Sequence, residues 1–438
     1  MNYKIPYTFL LISFTFLFYV IFKSEFQWDG QRRDYYQIYY ILSICFVIFS
    51  IFVFFLNHKI NLVLFVCFLS SLTSVYLFEF YTNFLKINNN LNIKNKILIE
   101  SGKKEFDKRT INQVYKDLKK IDNDTTLAFY PEYFVYKKKI NFLPLSGKSN
   151  SKTLLCNENG KWIVYNSDKY GFRNTNEDWD KNIIDFLIVG DSFAQGFCVN
   201  DNNHLASQIK KISNKNVINI GYGSNGPLLE YASVVEYLPK NTKNLLWFYY
   251  EENDLENLEI ELKNNLLIEY LENKSFKQYL KEKQKLTDTI IENEIKRNLN
   301  FKTTIFNFIK IKETRKIIKN LFIKKNSNIV TNQDKIFEQF TKIILLTKEL
   351  LSKENTKLYF IYLPEYSRYS DINYNNKNYE KILNFLNENK IKYLDVHAEI
   401  FLQTKNPKKF FPFELHGHYT EYAYNLIANR IINKFYLR

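Results

Sequence analysis

Three stretches of the chain hold no Asp, Glu, Lys or Arg: residues 7–22, 38–56 and 60–78. They run 16 to 19 residues, against the roughly 20 apolar residues a helix needs to cross a bilayer core. No other feature constrains the fold as strongly, because backbone polar groups in lipid must be satisfied within a helix or a closed barrel. Only residues 57–59 separate the second run from the third, so these two are expected to form a helical hairpin. After the first run comes Phe22-Lys23-Ser24-Glu25-Phe26, without the small residues of a leader-peptide cleavage site. It reads as a retained span.

An odd number of spans places everything beyond residue 85 on the opposite side from the N-terminus. Lys4 and Lys59 lie on one side; Lys23, Arg32, Arg33, Lys86, Lys94 and Lys96 lie on the other. By the positive-inside rule this favours a cytoplasmic C-terminal part. The net charge of +15 weakens that signal, since lysines are spread among Asn and Ile over the whole polar part. They form no dense stripe and accompany no zinc-finger or RNP motif, so no nucleic-acid partner is expected. A hydrophobic content of 46% excludes general disorder, and four Cys exclude a disulfide-stapled scaffold.

Residues 86–125 are polar and carry a weak helical pattern at Ile111, Val114, Tyr115 and Leu118, the signature of a juxtamembrane linker. Residues 127–136 and 162–165 read as short strands. An alternation then begins over residues 126–438. Apolar runs at 185–189, 217–220, 245–250, 358–363 and 393–396 are separated by helical stretches at 204–212, 228–237, 337–351 and 379–389. Such alternation predicts a doubly wound parallel sheet, an α/β fold whose ligand site lies beyond the C-terminal ends of the strands. Residues 255–350 exceed a simple crossover. Patterns at 266–271, 276–280 and 305–321 suggest an insertion of amphipathic helices, either a surface elaboration or a lid.

Glycine is scarce, at 11 residues, yet Gly190, Gly196, Gly221, Gly223 and Gly226 fall within residues 190–226. Clustering in a glycine-poor chain marks backbone that needs positive φ or close approach. The first apolar run leads into Gly190-Asp191-Ser192-Phe193-Ala194-Gln195-Gly196. A serine at a strand end, opening a helix, is a candidate nucleophile; a plain capping turn is the blander reading. The second run leads into Asn219-Ile220-Gly221-Tyr222-Gly223-Ser224, a tight turn or a source of an oxyanion-binding N–H. The third ends in Glu251-Glu252-Asn253-Asp254, where the Asn253 amide can serve the same oxyanion. Near the end, Glu414-Leu415-His416-Gly417-His418 places a candidate general base ahead of a final helix.

This ordered set resembles the SGNH (GDSL-like) hydrolase superfamily over residues 170–429. The resemblance implies a flavodoxin-like α/β/α domain behind an N-terminal three-helix anchor, with Ser192 as nucleophile and His418 as base. It implies an oxyanion hole from the Ser192 and Gly223 N–H groups and the Asn253 amide. The stretch Ser167-Asp168-Lys169-Tyr170-Gly171-Phe172-Arg173-Asn174 resembles membrane-anchored members linked to surface polysaccharides, commonly esterases or O-acetyltransferases. Two departures stand out. The family's oxyanion glycine aligns with Ser224, next to Gly223. The family's aspartate, three residues before the histidine, aligns with Leu415. The third member of the triad is therefore sought at Glu414, His416, Glu421 or a backbone carbonyl.

His397, two residues after Asp395, reads as structural, with a small chance of replacing His418. His204 reads as exposed at a helix start, and His58 lies in the membrane turn. No metal site and no cofactor are expected. Cys45 and Cys67 lie in apolar runs. Cys156 and Cys198 can pair at the edge of the site, which would place the domain in an oxidising compartment, or remain two buried thiols. The expectation is a serine esterase or O-acyltransferase in the cytoplasmic membrane of a bacterium, with an extracytoplasmic catalytic domain. Its partners would be the bilayer and an acylated glycan or small ester. The competing expectation is a catalytically impaired scaffold or glycan-binding subunit. Nothing in the sequence speaks to oligomeric state.

Overall fold

The structure of the chain, a computed structural model, describes residues 4–27, 30, 33–82, 86–100, 102, 105–136, 141–298, 310–312, 314, 315, 317 and 330–436. It divides into two compact units: residues 1–88 with 304–325, and residues 89–303 with 326–438.

The first unit is built on α1 (Lys4–Ile21), α2 (Arg33–Phe52) and α3 (His58–Phe80). With their flanking turns, all three are long and apolar enough to cross a membrane. A π-helical turn, Phe22–Gln27, carries the first helix well past its uncharged run. The Asn57 side chain accepts from Ile60 N–H and caps α3. Packing is aromatic: Phe9 is buried and meets the rings of Phe46, Phe49, Phe65 and Phe68 edge-on, with centroids 5.5–6.4 Å away. Such edge contacts suit the quadrupole of each ring. Ser13 and Ser50 share a hydrogen bond at 3.0 Å, satisfying two hydroxyls between helices. Thr314 donates to Glu79 through its N–H and its hydroxyl, at 2.8 and 2.7 Å. Part of the expected insertion thus groups with the anchor helices rather than with the sheet. Most of the helix expected at 305–321 lies outside the described residues.

The second unit begins with α4 (Lys86–Glu100), whose first residues fall at the unit boundary, and α5 (Ile111–Ile121). The helical pattern noted at Ile111 is α5, opened by a capping box between Thr110 and Gln113. A small sheet follows: β1 (Thr125–Leu127), β2 (Lys152–Leu154) and β3 (Val164–Asn166), with β1 parallel and β3 antiparallel to β2. The strand expected over 127–136 does not form. Pro131 fixes a helical φ and opens the turn Glu132–Val135. The strand β2 had no distinct signal in the sequence.

The main sheet contains β4 (Ile184–Val189), β5 (Val217–Asn219), β6 (Thr242–Tyr250), β7 (Lys357–Leu363) and β8 (Lys392–Asp395). All pairings are parallel, in the order β5-β4-β6-β7-β8. Each apolar run is a strand because its residues are buried on both faces. On one face Leu245, Trp247, Tyr249 and Phe360 pack with α7 (Pro227–Tyr237), α11 (Val330–Lys353) and α12 (Asn378–Glu388). On the other, Leu246, Phe248, Tyr250 and Ile361 pack with α6 (Leu205–Ser213) and α13 (Glu421–Phe435). This is a three-layer α/β arrangement.

Of the insertion, α8 (Asp254–Glu261), α9 (Asn265–Glu272) and α10 (Gln284–Asn298) are helical. Residues 276–280 are not. The buried Glu236 carboxylate accepts from Gln278 N–H and Leu280 N–H, at 2.5 and 3.0 Å, and these bonds hold that segment open.

Candidate active site

The site assembles where β4, β5 and β6 end. Gly190 has φ +151°, and a Cβ there would meet Ala194 and Phe248 at 2.8 and 2.9 Å. Only glycine lets the chain turn so tightly out of the sheet. Asp191 caps the short helical turn Ser192–Gln195 by accepting from Phe193 N–H at 2.8 Å. Ser192 is half-buried at the first position of that turn, so its hydroxyl emerges at the strand end.

His418 Nε2 lies 2.9 Å from Ser192 Oγ. The imidazole is held between the rings of Phe193 and Phe197, with centroids at 4.7 and 4.4 Å. Behind it, Tyr419 is buried and donates to the carbonyl of Pro364 at 2.6 Å. Thr420 donates its N–H to Phe410 O and caps α13. The turn bearing the histidine is therefore fixed on both sides.

The acid behind the histidine is Glu158. Its Oε1 lies 2.8 Å from His418 Nδ1, and its Oε2 accepts the His418 backbone N–H at 2.9 Å. Burial works against the carboxylate charge. The charge and hydrogen bonds of His418, with Lys94 of α4, outweigh it and hold Glu158 below the ordinary carboxylate range. None of the three side chains sought near the histidine does this. Glu414 accepts from Asn406 and from Tyr366 through its carbonyl. His416 Nε2 pairs with Glu252 at 3.0 Å, a bond that raises its affinity for a proton. Glu421 accepts from Asn200. Each of these side chains is committed to a partner other than the imidazole, and the backbone is left-handed at Phe413 and Glu414. Nothing in the sequence pointed to Glu158 except its place two residues after Cys156.

Gly223 N–H is already donated to Gln195 Oε1 at 2.9 Å. The next residue, Ser224, has φ +60°, and among the described residues its N–H takes no partner. Of the two amides, that of Gly223 is taken by the Gln195 side chain, while that of Ser224 has no partner among the described residues. Asn253 follows β6 and precedes α8; its side chain lies against the Asp191 carboxyl.

The 167–174 stretch braces this site. Asp168 accepts from the N–H groups of Tyr170 and Phe172 and from Asn174 and Trp179. Arg173 is buried and donates to the carbonyls of Gly196 and Val199 at 2.7 and 2.8 Å, tying down the end of the serine turn. Asn174 exchanges hydrogen bonds with the backbone of Asn219 at the end of β5. Cys156 and Cys198 form a disulfide with Cα atoms 5.4 Å apart.

His204, expected to be exposed, is buried. Its Cβ sits where a Cβ on Gly196 would fall, and its Nε2 meets Ser207 Oγ at 2.9 Å. His397 is held by Tyr369, away from the serine. Among the described residues no group of three His, Cys, Asp or Glu is placed to hold a metal ion.

Four carboxyls near the strand ends are buried: Asp191, Glu230, Asp254 and Glu261. Burial pushes Asp191 up to about 6 and Glu261 up to about 8, although the N–H groups of Gly226 and Leu228 pull Glu261 down. Burial, followed by neighbouring negative charge, drives Glu230 and Asp254 well above the ordinary range. An acid raised in the native state keeps a proton that the unfolded chain has lost, so it lowers stability as pH rises toward its native value. His204 and His397 are lowered, chiefly by burial, so they oppose this trend only below the ordinary histidine range, about 6.5. Glu158 and Glu252 are lowered and add stability that is lost only in more acidic solution. Above about pH 6.5 the raised acids act together with His416, whose pairing also weakens with rising pH; Lys281, lowered by burial, opposes them only toward alkaline solution. The thermal midpoint of the second unit is therefore expected to fall between about pH 6.5 and 8.5. Glu261→Gln should flatten that fall; a midpoint rising across the range would contradict it.

No protein-family model matches the chain, and no curated protein matches it. Among solved structures, a protein from Desulfitobacterium hafniense DCB-2 described as lipolytic and of the G-D-S-L family is similar to it. The identity is 14%, the TM-score 0.32, and the match covers 56% of this chain and 95% of that one.

Proposed function

We propose that the chain is a membrane-anchored serine acyl-transfer enzyme, an esterase or O-acyltransferase acting on acylated glycans of the cell envelope. The observation that carries this reading is the continuous line Ser192 Oγ, His418 Nε2, His418 Nδ1, Glu158 Oε1, with contacts of 2.9 and 2.8 Å. A serine, an imidazole and a carboxylate in that order suit general-base activation of the hydroxyl.

Ser192 Oγ attacks the ester carbonyl while its proton passes to His418 Nε2. Glu158 holds the imidazole through Nδ1 and stabilises its charged form. The N–H groups of Ser192 and Ser224 and the Asn253 amide receive the negative oxygen. Collapse breaks the bond to the leaving alkoxide, which takes the proton from His418. An acyl group remains on Ser192 and passes to water or a sugar hydroxyl, with His418 again accepting the proton.

The parallel strand order, second-first-third-fourth-fifth along the chain, is the flavodoxin-like order, and this supports the SGNH-type fold. The resemblance of residues 167–174 supports the glycan class. The Cys156–Cys198 bridge supports an extracytoplasmic domain, since disulfides persist in oxidising compartments. The scaffold reading drew on the lack of an acid near His418, and Glu158 removes that ground.

The test is acylation of Ser192 in the full chain, in detergent, with 4-nitrophenyl acetate. Mass spectrometry should find an acetyl group on the Ser192 peptide in native protein and none in Ser192→Ala. A folded protein with no Ser192-dependent acetylation would overturn the reading in favour of a scaffold.

A further inference from the structure

Glu158 does not stand on the main sheet. Ser192 and Asn253 follow strands of that sheet, and His418 leads into a helix packed on it. Glu158 lies instead in the turn beyond β2, where Leu155 N–H donates to Ile163 O and Ile163 N–H donates to Cys156 O, folding the segment 155–163 on itself. Among the described residues no strand pairing joins the small sheet to the main one. Yet the acid must meet His418 Nδ1 to within a few tenths of an ångström to hold the imidazole.

Two ties cross that gap beside Glu158. One is the Cys156–Cys198 bridge, which starts two residues before Glu158. The other is Asn159, the residue after it, whose amide donates to Cys198 O at 3.0 Å. Glu158 is thus clamped on both sides to one residue of the serine turn. Cys198 adjoins Phe197, whose ring covers the His418 imidazole. Cys198 itself has φ +58°, a left-handed backbone that local preference does not favour. Both cysteines are buried, in a cluster with Leu155, Ile163 and Tyr165.

We propose that Cys156 and Cys198 are positioning residues of the active site: their bridge holds Glu158 on His418, and reactivity of Ser192 depends on it through Glu158. This rests on the acyl-transfer reading above. In an oxidising compartment the bridge completes the site; while the thiols remain separate, the serine and histidine are present but the acid is not held.

The test compares rates of labelling by a fluorophosphonate probe on the full chain in detergent. In this reaction an Oγ–P bond forms, fluoride leaves and the serine proton passes to His418. The proteins are native, Cys156→Ser/Cys198→Ser, Glu158→Gln, and the three substitutions combined. The bridge variant is expected to label roughly 10- to 100-fold more slowly, and Glu158→Gln roughly 100-fold or more. The combined variant should be no slower than Glu158→Gln, and the pH profile of the bridge variant should follow that of Glu158→Gln. Labelling of the bridge variant within about twofold of native would overturn the inference. So would an equal loss on removing the bridge from Glu158→Gln, the pattern that general misfolding gives. Failure of the underlying reading looks different: native protein would not label, or Ser192→Ala would label equally.

Discussion

Ser192→Ala is expected to reduce turnover of an ester substrate by roughly a thousandfold to a millionfold, to the level left by binding and oxyanion contacts alone. No other hydroxyl lies on His418 Nε2 at hydrogen-bond distance among the described residues. His418→Ala should cost a similar factor, because the hydroxyl is a weak nucleophile without a base. The pair acts as a unit, so the double substitution should be scarcely worse than either single one. Initial rates of 4-nitrophenyl ester release from the three variants check this. Multiplying losses, or a Ser192→Ala protein within tenfold of native, would exclude Ser192 as the nucleophile.

Glu158→Gln is expected to lower kcat/KM by roughly a hundredfold to ten-thousandfold. The carboxylate does two things that an amide does poorly. It favours the Nδ1–H tautomer, leaving Nε2 free to accept the serine proton, whereas an amide NH2 facing Nδ1 favours the opposite tautomer. It also carries the negative charge that stabilises imidazolium as the proton arrives. Oε2 additionally accepts the His418 backbone N–H, so one side chain fixes both the ring and its turn. Glu414→Gln, by contrast, should stay within about twofold of native, because Glu414 bonds Asn406 and not the imidazole. A pH profile of kcat/KM for both variants makes the comparison. A large loss in Glu414→Gln with none in Glu158→Gln would return the acid to the segment just before His418.

The gap between sequence and site is concentrated in that acid. The approach of Ser192 and His418, 2.9 Å apart, was legible because each follows or precedes a periodic apolar segment, and strand ends in a parallel sheet converge on one edge. Glu158 follows no such segment and stands 260 residues from its partner. A hydrogen bond between distant turns leaves no trace in periodicity or spacing. Expecting the acid near the histidine along the chain led to Glu414 and His416, which bond Asn406 and Glu252 instead. The commitment of the Gly223 amide to Gln195 was hidden for a related reason: the contact is made only once the serine turn packs on the second turn.

Local chemistry, summed along one segment, was sufficient for the three apolar helices, the five main strands and the glycine turn at Gly190. Hydrophobic length, burial on both faces of a strand and the absence of a Cβ are properties of the residues themselves. Tertiary packing alone decided the acid on His418 and the commitment of the Gly223 amide to Gln195. The same holds for the joining of Cys156 to Cys198, which the sequence offered only as one of two states. Each of these is a choice among chemically equivalent groups, and proximity in the folded chain, not residue type, makes that choice.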